Sequence, residues 1–124
     1  MQKAIDYIED NLTETIDYET VAAQSFSSSH HFQRVFSILC GFTVGEYIRN
    51  RRLSLAGTEL ATSDAKVIDV ALKYGYESPD SFAKAFKKFH GILPSEVKKG
   101  GGNLKSFSRL VLKISWQCKV KMKR

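Results

Sequence analysis

Residues 74–96 read YGYESPDSFAKAFKKFHGILPSE, and the punctuation of this stretch decides the fold. Ser78 suits a helix N-cap, and Pro79 suits the first helical position, where its missing N–H costs nothing. Asp80 then meets the positive end of the helix macrodipole. Phe82, Ala85, Phe86 and Phe89 recur at i, i+3, i+4 and i+7, the apolar stripe of an amphipathic helix. Gly91 ends that helix, and Pro94 stands just beyond it.

The same pattern occurs 50 residues earlier. Phe32, Val35, Phe36, Leu39 and Gly41 fall on Phe82, Ala85, Phe86, Phe89 and Gly91, and any of Ser27 to Ser29 suits the cap. Upstream, Val21-Ala22 matches Val70-Ala71 at a shift of 49, so the second turn is one residue longer. Each copy is a short helix, a polar turn and a longer helix, the outline of a helix-turn-helix. Two helical hairpins in an ordinary bundle would show the same periodicity.

The rest of the first 97 residues also reads as helical. Ile5, Ile8 and Leu12 mark a first helix whose exposed positions are acidic (Asp6, Glu9, Asp10), so it is expected to face away from a polyanion. Asp17 caps a short helix over about residues 18–25. Thr43-Val44-Gly45-Glu46 is a capping box that starts a long helix to about Leu60, carrying Arg49, Arg51 and Arg52. A further helix follows Ser63-Asp64, with Val67, Ile68, Ala71 and Leu72 as its apolar positions.

What separates a DNA reader from a plain bundle is the face opposite each stripe. On the earlier long helix of the repeat that face carries His30, Gln33, Arg34 and Ser37, and on the later one Asp80, Ala83, Lys84 and Lys87, with Lys88 beside them. Arg and Gln pair bidentately with guanine and adenine edges in the major groove. Arg34 and Lys84 occupy equivalent positions, which fits a repeated DNA-facing role. Each residue alone also fits a solvated helix face.

Residues 74–96 resemble the second helix-turn-helix of the AraC/XylS transcription regulators. HHFQRVFSILCGFTVGEYIRNRRL, residues 30–53, resembles their first recognition helix and central linker helix. The resemblance covers about residues 1–99. It implies an all-α fold of about seven helices, as two helix-turn-helix subdomains joined by a central linker helix. On that reading residues 1–97 are the DNA-binding domain, with the first helix-turn-helix at about 17–41, the linker helix at about 43–61 and the second unit at about 65–91. It further implies monomer binding to an asymmetric promoter site and control through RNA polymerase. The family's base-contacting positions fall on His30, Gln33 and Arg34 and on Ser81 and Lys84, with Asp80 as a helix-start anion that is structural first. Ser29, His31, Ser37, Asp80, Lys87 and Lys88 are expected as weaker backbone or base contacts. Phe26 stands where the family commonly has glycine, which predicts a distorted first turn.

Charge does not make this case. The chain carries +6, but residues 1–97 hold 10 Lys+Arg against 13 Asp+Glu, a net of −3, while residues 98–124 hold 9 and none, a net of +9. Lys98-Lys99-Gly100-Gly101-Gly102-Asn103 reads as a hinge. From Leu110 to Met122 apolar residues alternate with polar ones, which predicts one long β-type strand without a partner. LKSFSRLVLKISW resembles the opening of a GyrI-like effector-binding domain, so a small-molecule effector is expected to act only through a C-terminal domain largely absent here. The tail would otherwise pair with another copy or bind DNA non-specifically as a cationic arm.

No apolar run is long enough to span a bilayer and no secretory leader is evident, so a cytoplasmic, nucleoid-associated protein is expected. Cys40 and Cys118 read as free thiols, and neither a metal nor another cofactor is implied. HExxH, GxSxG and a phosphate-cradling glycine loop are all missing, so no enzyme is expected. The leading reading is sequence-specific binding of double-stranded DNA. The alternative is a helical protein-interaction module whose tail augments a partner's sheet.

Overall fold

A computed structural model describes residues 1–111, 113–114 and 120–121. Among them are seven helices: α1 (Gln2–Asp10), α2 (Tyr18–Ala23), α3 (Ser29–Cys40), α4 (Val44–Thr62), α5 (Val67–Lys73), α6 (Pro79–His90) and α7 (Pro94–Lys98). Two short strands follow, β1 (Lys113–Ile114) and β2 (Val120–Lys121). The chain divides into two compact units, one of Met1–Arg49 with the chain from Ser108, the other Asn50–Phe107.

In the first unit α2 packs on α1 and α3. Ala4, Ile5, Ile8, Leu12, Val21, Ala22, Phe32, Phe36, Cys40, Val44, Tyr47, Ile48 and Leu110 are buried. Aromatic rings fill its centre, with Phe32, Phe42 and Tyr47 all about 6 Å from Phe36 between centroids. In the second unit α5, α6 and α7 pack on one another. Their core is Leu53, Ala56, Leu60, Val70, Ala71, Tyr74, Phe82, Phe86 and Val97. Three residues of α3 and the three at a shift of 50 in α6 are the buried ones: Phe32, Phe36 and Cys40 against Phe82, Phe86 and His90.

The repeat extends to backbone detail. Ser28 and Ser78 are the N-caps, their hydroxyls accepting from the amides of His31 and Ser81, each at 3.2 Å. Gly41 and Gly91 close the helices with φ 79° and 85° and donate to Ser37 and Lys87 carbonyls at 2.9 and 2.8 Å. Beyond them Glu46 accepts from the Thr43 amide at 2.8 Å, and Glu96 from the Leu93 amide at 2.9 Å. Only the first has the reciprocal half, in which Thr43 Oγ1 accepts from the Glu46 amide, because leucine has no acceptor.

The helix expected after Ser63-Asp64 is α5, which starts at Val67 behind Lys66, a residue without a side-chain cap, while the Ser63 hydroxyl closes α4 by donating to the Glu59 carbonyl at 2.7 Å. Ile68 and Leu72, two of the four apolar positions named for that helix, are 48% and 58% exposed, since α5 turns Val70 and Ala71 to the core. Within the alternating stretch, the described Lys113 and Ile114 pair with Lys121 and Val120 in antiparallel register. That pairing satisfies backbone groups a lone strand leaves open. Trp116, Cys118 and Met122 lie outside the described residues.

The stretch read as a hinge is tied down. The Gly100 and Gly101 amides donate to Val97 and Glu96 carbonyls at 2.9 Å, and Lys98 Nζ reaches the Ser63 carbonyl at 2.9 Å. At Gly102 a Cβ would run into the Ile92 side chain, so glycine allows the close approach.

Candidate nucleic-acid interface

The caps and core stripes fix which side of α3 and α6 meets solvent. On α3, His30, His31, Arg34 and Ile38 are exposed, while Ser29, Gln33 and Ser37 lie half-buried along the flank. On α6, Asp80, Ser81, Lys84, Lys87 and Lys88 are exposed, with Ala83 half-buried between them. The structure therefore gathers the expected residues onto one solvent face in each unit.

Their hydrogen bonds differ. The side chains of His30, Arg34, Lys84, Lys87 and Lys88 make no hydrogen bond or ion pair among the described residues and are free to reach a ligand. Gln33 Nε2 donates to Ser29 Oγ at 2.9 Å, one turn back, which holds its amide against the helix. Ser81 Oγ donates to the Ser78 carbonyl at 3.1 Å and lies 3.0 Å from Ser78 Oγ, so its hydroxyl is engaged in the cap turn. Asp80 sits in the first turn of α6, where the macrodipole favours a carboxylate. Asp80, Lys84, Lys87, Lys88 and Leu93 line a shallow open depression along α6.

Several acids and arginines elsewhere are engaged. Asp6 accepts from Arg109 at 2.6 Å, and that guanidinium holds its carboxyl below the usual carboxylate range. Tyr47 donates to Glu9 at 2.7 Å. On α4, Arg51 donates to the Phe107 carbonyl at 2.5 Å.

Ile38 had no part in the sequence-based expectation. Ile38 is 73% exposed, one turn beyond Arg34, and its i+4 spacing was the available signal. Phe26 is 94% exposed and adopts φ 54° in the α2–α3 turn. The expected distortion of that turn does not occur.

Two helix-turn-helix units, each offering a solvent-facing helix with unpaired basic side chains, define a DNA-binding module. A family model described as a helix-turn-helix domain matches residues 21–100. The HTH-type transcriptional activator AarP of Providencia stuartii is 47% identical over 89 residues, covering 72% of this chain and 66% of that protein. The regulatory protein SoxS of Salmonella typhimurium is 34% identical over 98 residues, covering 79% of this chain and 92% of SoxS. Among relatives of greater length, the Bacillus subtilis regulator YbfP is 40% identical over 98 residues, but the match spans only 33% of it. The DNA-binding domain of AdpA, solved in complex with a target DNA, superposes with a TM-score of 0.72 at 28% identity, covering 80% of this chain and 89% of that one. An AraC-type regulator from Chromobacterium violaceum shares the fold with a TM-score of 0.74 at 21% identity. The chain belongs to the AraC/XylS family and is a DNA-binding transcription regulator. Among the described residues no helix is long and apolar enough to cross a membrane.

Proposed function

We propose that the chain binds an asymmetric promoter site by placing α3 and α6 in successive major grooves of one duplex face, about one turn or ~34 Å apart. The observation that carries this reading is the recurrence of a free basic side chain, Arg34 and Lys84, at the same place on two identically capped helices. His30, Gln33 and Arg34 read base edges, with Ser29 setting the Gln33 amide; His31 and Ser37 border that contact. Lys84 and Ser81 contact bases, Lys87 and Lys88 hold phosphates, and Asp80 stabilises the start of α6. The α6 face has fewer groups suited to base edges, so the half-site read by α3 is the stricter one.

AarP is named a transcriptional activator. We carry that role to this chain, with RNA polymerase as the protein partner and the cytoplasmic nucleoid as the place of action. Selection of binding sites from random duplexes by the full chain tests the reading. An enriched two-part motif is expected. Binding that is salt-sensitive and blind to sequence would leave only the electrostatic contact that any basic surface makes.

A further inference from the structure

We infer that Ile38 is a specificity residue, packing against the C5-methyl group of a thymine in the half-site read by α3. The inference rests on the proposed entry of α3 into a major groove. Phe32, Phe36 and Cys40 are the buried residues of that helix. With about 100° of turn per residue, the direction opposite them runs between Arg34 and Ile38. Ile38 thus stands at the middle of the free face, while Gln33 and Ser37 lie half-buried on its flank. The equivalent place on α6 is the exposed Lys88, so solvent alone accepts a charged side chain there.

At Ile38 the position instead holds a large apolar side chain, 73% exposed. The floor of the major groove offers donors, acceptors and one apolar group, the thymine methyl. The His30, Arg34 and Ile38 row therefore combines polar contacts with one methyl contact. Ile38 is one helical turn from Arg34, about 6 Å along the axis. At ~3.4 Å per base step, the thymine lies about two base pairs from the base that Arg34 reads.

The test uses the selected duplex with each thymine replaced in turn by deoxyuridine, which removes only the methyl. The full chain, Ile38→Ala and Ile38→Lys are titrated on every duplex, and thermal melts check that each variant is folded. One uracil is expected to weaken the native chain about three- to fivefold, the scale of one buried methyl, and to leave Ile38→Ala unchanged. Ile38→Lys should bind all duplexes more tightly at low salt and lose the methyl dependence. Sequence-specific binding with no uracil effect, or the same effect in the native chain and Ile38→Ala, overturns the Ile38 contact and leaves the two-helix reading standing. A native chain without sequence preference overturns both.

Discussion

Phe26 and Gly75 hold the same left-handed turn in the two repeats, at φ 54° and 89°. Behind them the Ser27 amide donates to the Ala22 carbonyl at 3.1 Å, and the Tyr76 amide to the Ala71 carbonyl at 2.9 Å. Glycine adopts this backbone freely, whereas phenylalanine does so with a Cβ against the following carbonyl. The Phe26 ring is 94% exposed, so burial does not offset that cost.

Phe26→Gly should therefore raise stability by about 1 kcal/mol, seen as a higher melting temperature. Gly75→Ala should lower it by a similar amount, since its new Cβ would meet Arg52 only at an ordinary 3.6 Å and the cost is conformational. A lower melting point for Phe26→Gly would mean the ring makes contacts that stabilise the turn.

His90 Nδ1 accepts from the Lys105 amide at 3.0 Å, which leaves Nε2 to donate to the Leu53 carbonyl at 2.8 Å. Nδ1 can accept only in the neutral ring, whereas the bond to Leu53 can be made by either form. Burial holds its pKa below the usual histidine value, the Lys105 charge adds to that, and the bond to Leu53 opposes it. The unfolded ring takes a proton first as pH falls, so its contribution is complete above about pH 6.5 and declines below it. His90→Gln should melt lower at pH 7.5 and lose less stability between pH 7 and 5. Parallel pH curves for the two proteins would contradict the assignment.

Leu110 is 1% exposed, its amide donating to Tyr47 Oη at 3.1 Å while Gln2 Nε2 donates to its carbonyl at 3.3 Å. Leu110→Ala should cost about 2–4 kcal/mol in a denaturant titration. A cost below about 0.5 kcal/mol, typical of a surface position, would show that the residue does not belong to the core.

The Cys40 thiol is buried, and burial pushes its pKa up to about 11. Since the thiolate is the reactive form, iodoacetamide should label Cys40 slowly in the native chain at pH 8 and rapidly in denaturant. Peptide mass spectrometry reads the site. Fast native labelling would contradict the burial.

Most of this fold is written locally. Ser28 and Ser78 as caps, Gly41 and Gly91 as stops, and phenylalanines at helical spacing each act within a few residues, so periodicity and punctuation reveal them. The candidate faces followed because a helix with one buried stripe has only one free side. Tertiary detail was not legible in the same way. Ile68 and Leu72 match an apolar period yet face solvent, since Val70 and Ala71 fill the available space. The bonds from His90 to Lys105 and from Leu110 to Tyr47 join residues far apart in sequence, and no local pattern announces them. Phe26 misled in the opposite direction, because the surrounding hydrogen bonds impose a backbone its own preference opposes.

The central claim is that α3 and α6 each read bases, and footprinting the full chain, Arg34→Ala and Lys84→Ala on the selected duplex tests it most directly. The native chain should protect two clusters on one face, about 10 base pairs apart. Arg34→Ala should cost roughly 1–3 kcal/mol and relax one base position in one cluster, and Lys84→Ala should weaken the other. A single cluster, or equal weakening by both variants on every sequence, would contradict the account and make these side chains phosphate contacts.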